Sequence, residues 1–200
     1  MHAASSVSRS AAQRPAVILT IGHSTRPIEK FIELLRAHGV ERLVDVRTAP
    51  GSRRYPQFNQ EALEQSLHDA GMDYEHIKAL GGFRRSRPDS PNTGWKNASF
   101  RGFADYMLTK PFRDGLRELL HLASDKRTAI MCSEAVPWRC HRSLISDMLL
   151  IRGVNVEHII SIHKRNPHQL TKFGRVEGDH VVYPPAEESP CGTLYDDDVK

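Results

Sequence analysis

Short apolar runs alternate along this chain with segments of helical period, and most connections between them are only a few residues long. Residues 16–21 are an apolar, β-branched run that reads as a strand. Gly22-His23-Ser24-Thr25 turns the chain, Pro27 suits a first helical turn, and Ile28, Phe31, Ile32, Leu34 and Leu35 form a stripe that Gly39 ends. Residues 42–46 are the next strand. Two strands joined through a helix by short loops are expected to pair in parallel through a right-handed crossover. The alternation continues with a helix over 60–70, a weak strand over 73–77, helices over 103–108 and 112–123, a strand over 128–132, a helix over 141–152 and a strand over 154–160. This predicts an α/β fold: a single-domain, open, mostly parallel sheet with helices on both faces, a Rossmann-like three-layer arrangement.

Boundaries follow from composition. Residues 1–15 are rich in Ser, Ala and Arg and lack acids, and are expected to be a disordered tail. Residues 16–183 form the domain, with a polar, proline-bearing insertion at 84–99 read as mobile and a small hairpin expected around Gly178. Residues 184–200 are expected to be a disordered acidic tail. The chain has 200 residues, 39% of them hydrophobic, which is enough for one real core. No apolar run approaches the roughly 18–20 residues that span a bilayer, so a cytoplasmic location is expected. A net charge of +4 suits a phosphate-bearing ligand and is far below a histone-like excess. Three cysteines with no export signal argue against a disulfide framework.

Three polar clusters fall at the carboxyl ends of expected strands: His23 with Ser24, Asp45 with Arg47, and Cys132 with Glu134. In an open α/β sheet such positions converge on one cleft. Glu134, Asp45 and His23 are the catalytic candidates, because pocket carboxylates and imidazoles exchange protons when burial and neighbours tune them. The structural alternative for Glu134 is an ion pair with Arg139 or Arg142, and for Asp45 a capping or pairing role. Cys140, His141 and Arg142 open a helix, where free N–H groups and the dipole favour an anion. Phosphate is therefore expected at that helix start, with Arg47 and Ser24 adding polar contacts and Tyr55 or Phe58 stacking on a base. Cys140 beside His141 and two arginines is also a candidate for a lowered thiol pKa. A cysteine-phosphatase loop does not fit, because Arg142 follows Cys140 by only two residues. No cofactor is expected. The alternative is zinc through Cys132, Cys140 and His141, although no paired Cys-x-x-Cys spacing is present.

Ile21-Gly22-His23-Ser24, Val44-Asp45-Val46-Arg47 with Pro50 and Ser52, Leu80-Gly81-Gly82, and Cys132-x-Glu134-x-x-Pro137-x-x-Cys140-His141-Arg142 occur in that order. This combination resembles the family catalogued as domain of unknown function 488, over about residues 16 to 160. The resemblance implies an α/β domain whose site is lined by these same polar positions. It does not supply a reaction. The residues themselves point to a hydrolase-like enzyme acting on a phosphate-bearing substrate, a nucleotide or nucleic acid, at a phosphoester or N-glycosidic bond. The alternatives are a non-catalytic nucleotide or nucleic-acid binding module and a thiol- or zinc-centred sensor.

Overall fold

The structure is a computed structural model that describes residues 17–185. The expected tail over 1–15, residues 186–200 of the acidic tail, and Cys191 lie outside the described residues. Strand β1 (Val17–Gly22) leads into α1 (Ile28–Ala37), β2 (Arg42–Asp45), α2 (Gln60–Asp69) and β3 (Asp73–His76). A long connection enters α3 (Ala98–Met107) and α4 (Lys110–Leu122), followed by β4 (Thr128–Cys132), α5 (Arg142–Leu150) and β5 (Asn155–Ser161). Strand β6 (Lys164–Pro167) and a hairpin of β7 (Arg175–Glu177) and β8 (His180–Val182) complete the described chain. The hairpin turns at Gly178, whose φ of 61° a side chain would strain.

The main sheet has the order β3-β2-β4-β1-β5-β6. Strands β1 to β5 pair in parallel, and β6 runs antiparallel to β5. Successive strand residues face opposite sides, so Ile18 packs in one cluster with Phe103, Phe112 and Leu144, and Leu19 in the other with Phe31, Leu35 and Leu63. Helices α1 and α2 thus cover one face and α3 to α5 the other, the three layers the alternation predicts. Full burial of a Phe or Leu such as Phe31 or Leu35 contributes about 1.5–3 kcal/mol each.

From β1 the chain crosses to β2 on one side of the sheet, and from β4 it crosses to β5 on the other. Between the adjacent strands β1 and β4 the direction of winding reverses. Such a switch point opens a crevice at the carboxyl ends of its two strands. Gly22 and Cys132, the last residues of these strands, are register partners.

Three features go beyond the sequence reading. The polar 84–99 segment forms no strand, yet buried hydrogen bonds pin it. Asp105 accepts from Ser90 Oγ at 2.5 Å, Asn92 Nδ2 at 2.8 Å and Arg87 N at 2.9 Å, while Asn92 Oδ1 accepts from Tyr183 N at 2.9 Å. Helix α3 begins at Ala98, earlier than expected, because the Asn97 side chain caps it by accepting from Ser99 N. Strand β6 was not expected. A second buried network centres on Asp147, which accepts from His168 Nε2 at 2.8 Å, Thr171 N at 3.0 Å, Thr171 Oγ1 at 2.7 Å and Tyr183 Oη at 2.8 Å. It fastens the segment after β5 to helix α5.

Candidate functional site

A cavity of about 420 Å³ lies at the switch point, with His23, Arg47, Cys132, Glu134, Cys140 and His141 among its walls. The loop after β1 is tied to the loop after β4 by His23 N–H to the Cys132 carbonyl at 3.0 Å and Ser24 N–H to the Ser133 carbonyl at 2.9 Å. This close approach requires Gly22, because a Cβ there would lie 1.8 Å from the Glu134 carbonyl oxygen. Gly82 is needed on the opposite wall, where a Cβ would lie 2.5 Å from His141 Nδ1.

His23 Nδ1–H donates to the Ser24 carbonyl at 2.8 Å, which leaves Nε2 as an acceptor 3.5 Å from Arg47 Nη1. Burial pushes this imidazole down to about 4 against the opposing effect of the Ser24 hydrogen bond, so the ring is neutral at pH 7. Arg47 is held in turn by Asp45, which accepts from its Nε at 2.9 and 3.0 Å, its Nη2 at 2.6 Å and its backbone N–H at 2.9 Å. Tyr74 Oη donates to the same carboxylate at 3.0 Å, and Arg47 Nη2 also reaches the Phe58 carbonyl at 2.8 Å.

The other wall carries two thiols and an imidazole. His141 Nε2–H donates to the Val46 carbonyl at 2.9 Å, so in the neutral ring the Nδ1 lone pair is bare. It faces Cys132 Sγ at 3.8 Å and Cys140 Sγ at 3.7 Å, and the three atoms all lie within 4.8 Å of one another. Of the cofactor-type groups the sequence suggests, these three residues could hold a thiophilic metal ion. Burial alone raises the Cys140 thiol, but donation from Cys132, the Arg142 charge and the Arg142 backbone and side-chain N–H groups bring it down to about 6. The same hydrogen bond to Cys140, added to burial, pushes Cys132 up to about 12.

Arg142 explains this asymmetry. It is fully buried, with Nε donating to Cys140 Sγ at 3.3 Å, Nη1 to Thr20 Oγ1 at 3.2 Å and Nη2 to the Glu134 carbonyl at 2.5 Å. No carboxylate pairs with it among the described residues. A buried guanidinium needs a counter-charge, and the adjacent sulfur is the group placed to supply it.

Five of the expected residues meet at the cavity: His23, Arg47, Glu134, Cys140 and His141. The others require correction. Arg142 cannot contact a phosphate, because it is wholly buried and its three nitrogens serve Cys140, Thr20 and the Glu134 carbonyl. Asp45 is likewise fully buried and saturated by Arg47 and Tyr74, so it positions Arg47 rather than facing a ligand. Phe58 has no free face: His23 stacks on it at 4.1 Å and Phe31 meets it edge-on at 5.2 Å. Tyr55 and Ser24 line a neighbouring groove with Glu134 and Arg139 instead of the main cavity. Glu134 is exposed, and its carboxylate forms no ion pair with Arg139 or Arg142; it borders both cavity and groove.

Sequence reasoning passed over the aromatic wall. Phe83, 80% exposed, and the half-buried Phe100 border the cavity, as do Thr48 and Arg139. The signal that could have found this segment is the Gly81-Gly82 pair, since glycines let a backbone come close to a ligand. Thr48 Oγ1, which accepts from Phe83 N at 3.1 Å, holds it there.

No curated protein and no solved structure matches the chain. The family model described as Domain of unknown function DUF488 matches residues 27–149, more than half of the chain, and the protein belongs to that family.

Proposed function

We propose that the protein is an enzyme that takes a phosphate-bearing substrate of the nucleotide class into the switch-point cavity and cleaves it by hydrolysis, at a phosphoester or N-glycosidic bond. The observation that carries this reading is Glu134: an unpaired carboxylate at the mouth of a cavity between the two strands where the winding reverses. A carboxylate tied up in an ion pair would be structural, whereas a free one is available to move a proton. Arg139 on the cavity wall provides positive charge for a phosphate, Arg47, already paired with Asp45, offers only Nη1 as a further N–H donor, and Phe83 and Phe100 provide apolar surface for a planar ring. The volume falls in the range of small-molecule sites. His23, neutral at pH 7, presents Nε2 as a hydrogen-bond acceptor beside the Arg47 guanidinium.

The test is a thermal-shift screen of mononucleotides against their parent nucleosides, followed by turnover assays on each binder. A ligand at a hundred times its Kd adds about 2.7 kcal/mol to stability. Nucleotides are expected to shift melting, the matched nucleosides much less, and Arg139→Ala to weaken the shift. Glu134→Gln should melt and bind as the parent protein does while turnover is lost. Full turnover in folded Glu134→Gln would remove the acid/base role, and binding without turnover in the parent protein would favour a binding module.

A further inference from the structure

We propose that Cys132, Cys140 and His141 form a zinc site whose fourth position opens into the cavity. Zinc bound tetrahedrally by two thiolates and an imidazole sets its sulfur and nitrogen ligands about 3.6 Å apart, given Zn–S near 2.3 Å and Zn–N near 2.0–2.1 Å. The two sulfur-to-Nδ1 separations here are 3.8 and 3.7 Å. Two sides of the donor triangle thus lie within a few tenths of an ångström of the spacing the ion needs, and the third, between the sulfurs, is under 4.8 Å.

Three independent features agree with a ligand role. The Val46 carbonyl accepts from His141 Nε2 and so aims the Nδ1 lone pair at the two sulfurs, the outer-shell contact that metal-bound histidines usually make. The ligands sit at the ends of regular elements: Cys132 ends β4, Cys140 and His141 lie just before α5, and both cysteines are buried. Gly82 keeps the space beside Nδ1 clear, since any side chain there would collide with the ring. All three ligands also border the cavity, so the arrangement resembles catalytic zinc sites, with three protein ligands and one open place, rather than closed structural ones.

A water in the fourth position would be acidified by the metal toward neutrality. Glu134, two residues after Cys132 and lining the same cavity, would then be the carboxylate available to take a proton from such a water. This use of the ion rests on the hydrolytic reading above, but the presence of the site does not.

The experiment is metal analysis of the purified full chain after zinc loading and removal of loosely bound ions, with cobalt(II) as a spectroscopic replacement. One zinc per chain is expected, and the cobalt form should show intense thiolate-to-metal charge-transfer absorption with tetrahedral d–d bands. Cys132→Ser and Cys140→Ser should each lose stoichiometric metal, and Cys191→Ser should keep it. Overturning results are metal-free protein after loading, a cobalt spectrum without sulfur ligation, or loss of the ion in Cys191→Ser. A Cys132–Cys140 disulfide that forms in preference to metal binding would likewise overturn the site. The cobalt spectrum of the unaltered chain decides the matter even if a cysteine variant fails to fold. Zinc bound without any nucleotide shift would sink the proposed substrate class and leave the metal site standing.

Discussion

Gly22 is the residue on which the site turns, because it lets the Glu134 carbonyl pass against the end of β1. Gly22→Ala is expected to destabilise the protein by about 1–3 kcal/mol or more, since the obstructing atom is backbone and cannot swing aside. The change should appear as a lower urea midpoint with an unchanged slope. Residue types and their order were legible in the sequence, and His23, Arg47, Glu134, Cys140 and His141, read there at strand ends and a helix start, line one cavity. What each side chain is free to do was not legible. Asp45 and Arg142 are charged residues in the motif, yet sequence alone does not say that Tyr74 and Arg47 occupy the one, or that Thr20 and a sulfur occupy the other. Those partners are 29 and 122 positions away for Tyr74 and Thr20, and no local pattern encodes contacts of that range.

Among elements, the segment after β5 is joined to α5 by hydrogen bonds to one buried carboxylate, Asp147, and by Val181 and Tyr183, which share a core cluster with Leu144 and Met148. Asp147→Asn removes the charge and replaces one acceptor by a donor, facing groups that all donate. It is expected to cost about 1–3 kcal/mol. Hydrogen exchange should then accelerate over residues 164–183 while β1, β2 and β4 retain their protection; uniform acceleration would contradict this assignment. Strand β6 escaped the sequence reading because Lys164-Arg165-Asn166-Pro167 has neither alternation nor β-branched residues. Its ladder with β5 comes from a tight turn after Ser161, and an edge strand needs no buried face. The hairpin around Gly178, by contrast, was legible from its glycine and its flanking valines.

Across the whole molecule, a polar chain runs through the core from the site to the far side of α5. Arg142 donates to Thr20 Oγ1, Thr20 meets His158 Nδ1 at 2.7 Å, His158 Nε2 meets His168 Nδ1 at 3.0 Å, and His168 Nε2 donates to Asp147. Burial, then electrostatic interaction with His168 and with the Arg142 charge, push His158 down to about 3, with Asp147 opposing. A histidine depressed in the folded state takes its proton first in the unfolded chain. Its contribution is therefore intact above the ordinary histidine value of about 6.5 and is lost as pH falls toward 3, at up to about 1.4 kcal/mol per pH unit. Denaturant titrations at pH 7, 5.5 and 4.5 should show declining stability, and His158→Gln should flatten the part of that decline that this histidine causes. The rim of the sheet has a separate consequence. One border strand, β6, carries Lys164, Arg165 and the N–H-less Pro167, and the other, β3, carries Asp73 and Glu75. A strand from a second molecule would meet charge at either border and a missing donor at one, so the sheet is guarded against end-to-end growth into fibrils.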